Sequence, residues 1–341
     1  IATQGNLKIK VIGDNSLNKR DMKRIVEPLS KIGCNFFPPK KTTLPLTIAG
    51  TDMPLAQKHL EKIGSAQVKS AILLSALNTH GITKIEVKKK SRDHTENLLN
   101  TINADIKIKN LKKGQLISLK GQKNLSSFDI NVPGDPSSAA PFIILTLMTP
   151  NSKLLIKNVN CNSTRLGFIK ILKKMNANIK MLKLKKISGE LIGNILVKSS
   201  SLKPIKCPKD LIPFAIDEFP LLFITASLVK GVSKFSAISE LRNKESDRIK
   251  NVEVVLKKIG IKTRSTQDSL VINGNPDMKI KKILKIFPKE DHRIAMAFFC
   301  LGQLTGGNIK IDDFQTVNTS FPKFLSIMKK IGANFEIKKK Y

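Results

Sequence analysis

The chain has 341 residues, 41% of them hydrophobic, and a formal net charge of +34. That length buries a sizeable core and suits two domains, which excludes disorder. No apolar run reaches the roughly eighteen residues of a membrane span, and "IATQGNLKIKVIGD" lacks the pattern of a signal peptide, so the sequence predicts a soluble, cytoplasmic protein without a membrane partner.

High positive charge raises a nucleic-acid reading, because Lys and Arg release counterions from phosphate backbones. Here the lysines are spread over the whole length, and no Trp, one Tyr (Tyr341) and 5% aromatics offer few platforms for stacked bases. No nucleic-acid partner is therefore expected. Eight of the 60 cations are Arg: Arg20, Arg24, Arg92, Arg165, Arg242, Arg248, Arg264 and Arg293. In so lysine-rich a chain these become candidates for planar, bidentate duty that Lys cannot perform. Cys34, Cys161, Cys207 and Cys300 form no CxxC pair, so they read as reduced core residues, with neither a metal site nor a disulfide framework.

In chain order, the turn-rich loop "GDNSLNKRDM" (13–22) sets Arg20 ahead of a helix that ends in "IVEPLSKIGCNF", with its turn at Gly33. In "SAQVKSAILLSAL" (65–77), Ser65 is a natural N-cap and Val68, Ile72, Leu73 and Leu77 face a core. Gln67 and Lys69 fall in the first turn, where free N–H groups and the helix dipole favour an anion and leave a cation misplaced without one. "SRDHTENLL" (91–99) places Arg92 beside another helix start, with Asp93 or Thr95 as cap and Glu96 completing a box. Beyond it, "SSAAPFIILTLM" reads as an apolar helix, and "LLIKNVN", "SLVING" and "NIKIDDF" as strands.

"IDEFP" (216–220) seats Asp217 and Glu218 among apolar residues, so at least one carboxylate should be drawn inward, as a candidate proton acceptor whose neighbours tune it. "ELRNKESDRIKNV" (240–252) packs Arg242, Lys244, Arg248 and Lys250 around Glu245 and Asp247 at an apparent helix start. On one helix Lys244 and Arg248 would share a face and repel. Ser246 or Asp247 is available as cap, and Arg242 to brace the preceding strand. "DHRIAM" (291–296) sets Arg293 at the start of an apolar helix beside His292, which reads as structural. Cations recur at helix N-termini, and anionic ligands would resolve the electrostatic conflict.

One pattern recurs five times: an amphipathic helix, a Lys-rich turn and a short strand, turning at Gly33, Asn103, Asn176, Gly260 and Gly332, about 70 to 84 residues apart. Repeated α/β modules are predicted, too long for a thin solenoid.

Eight segments, "GDNSLNKRDM", "SAQVKSAILLSALNTHGIT", "SRDHTENLL", "VPGDPSSAA", "IDEFP", "ELRNKESDRI", "DHRIAM" and "TSFPKF", occur in an order and spacing that resembles 5-enolpyruvylshikimate-3-phosphate synthase, most closely its class II bacterial branch. The resemblance runs from about residue 8 to the C-terminus. It implies transfer of the enolpyruvyl group of phosphoenolpyruvate to the 5-hydroxyl of shikimate 3-phosphate, with release of phosphate and without metal or organic cofactor. It also implies a two-domain enolpyruvyl transferase fold, an inside-out α/β barrel of βαβαββ units, with domains over 1–127 and 128–341 whose helix N-termini face a cleft that closes on substrate. A monomer is expected.

Residue by residue, the resemblance assigns Ser65, Ala66, Gln67 and Arg92 to shikimate 3-phosphate, together with Asp217 and Lys244. Arg20, Gln67, Arg248 and Arg293 fall to phosphoenolpyruvate. Asp217 matches the carboxylate that accepts the 5-hydroxyl proton, Glu245 the group that transfers a proton at the methylene carbon, and Lys244 a cation beside the reacting groups. Four of the eight arginines fall on these positions.

The family's Lys-Ser segment and its Gly-Asn-Ala/Ser-Gly-Thr loop, both upstream of the "GD…R" motif, are missing from this sequence. An N-terminally truncated chain, inactive by itself, is expected, with the first domain incomplete. Asp21 stands where Pro usually follows the arginine, and Thr319 where the class I branch has Lys. Among rivals, the related UDP-N-acetylglucosamine enolpyruvyl transferase carries a catalytic Cys just before its loop arginine. "VIGDNSLNKR" has none, and Cys34 comes too late. A basic nucleic-acid-binding protein is the rival from another class.

Overall fold

A computed structural model describes residues 1–5 and 7–338, with Asn15 and Ser16 described by their backbone alone, so Tyr341 lies outside the described residues. The chain forms two compact units, Ile1–Val132 with Lys186–Leu191, and Pro133–Lys185 with Ile192–Tyr341.

The first unit opens with β1 (Lys8–Val11), α1 (Asn15–Asn18), α2 (Lys23–Ile32), β2 (Asn35–Phe37) and β3 (Leu46–Ala49). Its strands form an antiparallel sheet ordered β1-β3-β2. There follow β4 (Lys58–Glu61), α3 (Ala66–Ala76), β5 (Ile82–Val87), α4 (His94–Thr101), β6 (Asp105–Asn110) and β7 (Gln115–Lys120), a complete βαβαββ succession. This sheet runs β4-β5-β7-β6, its first pair parallel and the others antiparallel. Alternation along β7 sends Ile117 and Leu119 inward onto Val68, Ile72 and Leu73 of α3, the face expected from the helical spacing. Each such side chain, removed from water, contributes about 1.5–3 kcal/mol.

The second unit repeats the succession. Gly134 bridges in parallel to Val159, ahead of α5 (Pro136–Met148), β8 (Lys153–Asn160), α6 (Gly167–Lys174), β9 (Asn178–Ile187) and β10 (Glu190–Lys198). Lys206 bridges in parallel to Lys234, ahead of α7 (Phe219–Ser227), β11 (Gly231–Ser236), α8 (Arg248–Lys258), β12 (Lys262–Ser265) and β13 (Ser269–Gly274). In both copies a single bridge takes the place of the first strand, and the sheets run β8-β10-β9 and β11-β13-β12. These orders match the β5-β7-β6 part of the complete copy. A last copy comprises β14 (Leu284–Ile286), α9 (His292–Thr305), β15 (Ile309–Ile311) and α10 (Phe324–Lys330), with β14 and β15 paired in parallel.

All five turn residues adopt the left-handed backbone that ends a helix: Gly33 (φ 112°), Asn103 (62°), Asn176 (74°), Gly260 (83°) and Gly332 (93°). A strand follows the first four. After Gly332, residues 333–338 form none; the Asn334 backbone instead exchanges hydrogen bonds of 3.0 and 2.8 Å with the Gln303 amide. A side chain has taken the pairing that a neighbouring strand would have supplied.

Two helices fix the site of the second unit. All nine residues of α7 are buried, and so are Ile294 to Leu301 of α9. Such all-round apolar helices are core elements. Their N-terminal turns, which carry Asp217 and Arg293, are therefore held by packing rather than by loops.

Candidate active-site residues in each unit

In the first unit, the Ser65 hydroxyl accepts from the Val68 N–H at 3.4 Å and caps α3. Gln67 accepts from Arg24 Nη2 at 3.2 Å, which holds its amide in place. Lys69 corrects the electrostatic expectation: only 1% exposed, its ammonium is ion-paired with Glu96 and donates to the Arg92 carbonyl at 2.8 Å. The misplaced cation is thus answered from within by α4, not by a ligand. Nor does Glu96 complete a capping box, because its carboxylate is spent on Lys69, and the Asp93 side chain makes no cap hydrogen bond. A contact of 2.6 Å between the Ser70 and Thr95 hydroxyls further ties the two helix starts.

This strut places Ser65, Ala66, Gln67 and Arg92 on one assembly of two helix N-termini. Breaking one side of a buried ion pair leaves an uncompensated charge and costs about 3–5 kcal/mol. Lys69→Met should therefore lower the urea midpoint of the protein sharply, and Lys69→Met with Glu96→Leu should recover part of the loss. Arg20 is half-buried in the turn between α1 and α2. The unusual Asp21 supports the start of α2. It accepts from the Lys23 N–H at 2.8 Å, and hydrogen bonds from Thr42 and that N–H hold its carboxyl below the usual range.

In the second unit, "ELRNKESDRI" does not form one helix. Ser239–Asn243 make a 3-10 turn, Lys244 follows in extended backbone, and α8 begins at Arg248, so Lys244 and Arg248 share no helical face. The cause is Asp247, which accepts from the Lys250 N–H at 2.9 Å and caps α8 there. Arg242 bonds Asp247 and the carbonyls of Thr266 and Gln267, bracing the turn between β12 and β13 rather than the strand before it.

Arg248 is the centre of the cluster. Its side chain is 1% exposed, with Nε donating to Asp291 Oδ2 at 2.9 Å, Nη2 to Glu245 Oε2 at 2.6 Å, and Nη1 lying 3.7 Å from Asp217 Oδ1. Burial opposes this charge, but Asp291, Glu245 and Asp217 outweigh it and hold the guanidinium more firmly protonated. Among the described residues Nη1 finds no hydrogen-bond partner, which leaves a donor available for an incoming anion. Arg293 Nη2 lies 3.6 Å from the other oxygen of Asp217, so that carboxylate stands between two arginines.

Lys244 sits 3.9 Å from Glu240; burial lowers its pKa, while Asp217 and Glu240 pull it back up. Asp217, Lys244, Glu245, Arg248 and Arg293, drawn from three separate sequence stretches, thus form one charged group.

Asp291, a residue without a role in the motif reading, proves central. Fully buried, it accepts from Arg248 Nε and Nη2, from the Ser246 hydroxyl at 2.9 Å, and from the Arg293 and Ile294 N–H groups, so it caps α9 while orienting the Arg248 guanidinium. Burial disfavours its charge, yet Arg248 and Ser246 hold its carboxyl below the usual range. An Asp just ahead of an apolar helix was the available signal. Among the described residues no group of three or more His, Cys, Asp or Glu could hold a metal, and no helix is long and apolar enough to cross a membrane.

Copies of one α/β unit, complete as βαβαββ in one of them, with arginines and carboxylates gathered at the helix starts of the second unit, are the pattern of an enolpyruvyl transferase fold. In fold the chain is similar to the enolpyruvyl transferase of Streptomyces tendae, with a TM-score of 0.70 at 13% identity over 94% of this chain and 74% of that one. The family model described as EPSP synthase (3-phosphoshikimate 1-carboxyvinyltransferase) matches residues 1–328. Relatives named 3-phosphoshikimate 1-carboxyvinyltransferase include that of Petrotoga mobilis, 44% identical over 94% of this chain, and that of Zymomonas mobilis, 40% identical over 96%. The match spans 73% of each relative's own length. EPSP synthase from Acinetobacter baumannii superposes with a TM-score of 0.85 at 37% identity, over 99% of this chain and 76% of that one. The chain belongs to the EPSP synthase family.

Proposed function

We propose that this protein performs the family's carboxyvinyl transfer, from phosphoenolpyruvate to the 5-hydroxyl of shikimate 3-phosphate, with the roles carried by the residues named above. The observation that supports this reading best is Asp217 held between Arg248 and Arg293, with Lys244 and Glu245 beside it. The reaction must remove a proton from a hydroxyl and deliver one to a methylene carbon while a phosphate leaves. Asp217 is the acceptor of the hydroxyl proton, and Glu245 the group that serves the methylene. Within the second unit Arg248 and Arg293 serve the phosphate and carboxylate of phosphoenolpyruvate as bidentate forks, and the family pattern gives Arg20 and Gln67 of the first unit to the same substrate. Within the first unit Ser65, Ala66, Gln67 and Arg92 serve shikimate 3-phosphate at the paired helix starts, where backbone N–H groups favour a phosphate, and the family pattern gives Asp217 and Lys244 of the second unit to the same substrate.

Catalysis by a cysteine, as in the related UDP-N-acetylglucosamine enzyme, gains no support. Cys34 is 2% exposed and burial pushes its thiol up, away from the reactive thiolate. We read the protein as a cytoplasmic monomer without a nucleic-acid partner.

The test is phosphate release from phosphoenolpyruvate by the protein expressed from its complete coding sequence. Release that needs shikimate 3-phosphate is expected; release indifferent to it would sink the reading. Arg293→Lys keeps the charge but loses the fork, so the KM for phosphoenolpyruvate should rise by about tenfold or more, the worth of one charge-assisted hydrogen bond, with a smaller fall in kcat.

A further inference from the structure

Asp217 has a part in the proposed chemistry, whereas its neighbour Glu218 has none. Glu218 precedes α7 without capping it and turns inward, 4% exposed, where Oε1 accepts from the Ser137 hydroxyl. The Ser137 oxygen accepts in turn from Arg165 Nη2 at 2.8 Å. Arg165 is paired with Asp135, so its charge is answered by another carboxylate. Glu218, Asp217, Ser137 and Arg293 line one cavity of about 10 Å³, the room of a single water.

The charged groups facing this pair divide unevenly. Asp217 has Arg248 at 3.7 Å and Arg293 at 3.6 Å, and Lys244 acts on it as well. Glu218 has the neutral Ser137 hydroxyl as its hydrogen-bond partner, with Arg293 and Arg165 acting at longer range and Asp217 acting against its charge. Burial, followed by the charge of Asp217, pushes the Glu218 carboxyl up. Two carboxyls on one such space do not both ionise readily, and the one beside the arginines keeps the charge.

We propose that Glu218 is a positioning residue for Asp217: a carboxyl that keeps its proton in the working enzyme, is anchored by Ser137 and Arg165, and backs Asp217 across the cavity without adding a second negative charge. The proposal rests on Asp217 as the acceptor of the hydroxyl proton. That proton goes to the Asp217 carboxylate while Glu218 retains its own. An ionised Glu218 would raise the proton affinity of Asp217 and leave the base already protonated when substrate arrives.

Infrared difference spectroscopy on protein with isotope-labelled Glu carboxyls reads this without turnover. At neutral pH a protonated-carboxyl band is expected, missing from Glu218→Gln. In Asp217→Asn the same band should titrate away about one pH unit or more lower, because an adjacent like charge has gone. The absence of the band from the parent protein, or the same titration in Asp217→Asn, would overturn the proposal. Activity adds a second arm: kcat/KM of Glu218→Gln should exceed that of Glu218→Leu by about tenfold, since Gln still accepts from Ser137 and Leu leaves that buried O–H without its acceptor. Equal values would also overturn it. A band that behaves as expected in a protein without turnover supports the carboxyl pairing and sinks the reading of the reaction instead.

Discussion

Asp217→Asn is expected to lower kcat for phosphate release by about 10²- to 10⁴-fold, the contribution of a positioned general base. The substitution keeps size and shape but removes the site that receives the hydroxyl proton. It also removes the carboxylate that stands 3.7 Å from Arg248 and 3.6 Å from Arg293. Those cations then meet the anionic substrate with less internal competition. The KM for phosphoenolpyruvate should accordingly hold or fall while kcat collapses, a split that separates loss of a base from loss of a binding contact. Folding should change little, because Asp217 is part-exposed and Asn keeps its size and shape. A kcat within about threefold of the parent's would remove Asp217 from the base position.

Local chemistry made much of this fold legible in the sequence. Gly33, Asn103, Asn176, Gly260 and Gly332 announced five copies of one unit because left-handed backbone after a helix selects Gly and Asn, and all five adopt it. Ser65 was legible as a cap for the same kind of reason. The pairing of Glu218 and Asp217 among apolar residues foretold one inward carboxylate, but not that Ser137, 81 residues away, would meet it. Lys69 shows the limit most clearly. At a helix N-terminus its charge asks for an anion, and sequence alone does not distinguish a bound substrate from Glu96 on the next helix. Spacing fixes which residues share a face, whereas partners across a core depend on how the faces meet. The same limit hid the break after Asn243: alternating charges read as a continuous helix until Asp247 is seen accepting from Lys250.

Asp291→Ala should be the most destabilising change in the second unit. It removes a cap, worth about 1 kcal/mol, and strips a buried guanidinium of its principal partner, a loss of about 3–5 kcal/mol for a broken buried pair. Glu245 and Asp217 keep part of the Arg248 charge compensated, which places the expected loss toward the lower end. Asp291→Asn separates the two contributions, since Asn still caps α9 but carries no charge, and it should recover about 1 kcal/mol in urea unfolding. The pH dependence gives an independent check. The folded carboxyl lies below its unfolded value, so its stabilisation is complete above the unfolded value, about pH 4, and is lost as pH falls through the lower folded one. Asp291→Asn should flatten that acid limb while leaving stability at higher pH evenly reduced. The consequence for function follows from geometry: Asp291 holds the Arg248 guanidinium through Nε and Nη2, so Arg248 loses its aim while the cap bond to the Arg293 N–H remains. Phosphoenolpyruvate binding, followed by calorimetry, should weaken in Asp291→Asn even where the protein remains folded. Unchanged affinity there would show that Arg248 is aimed by its own packing and that Asp291 serves stability alone.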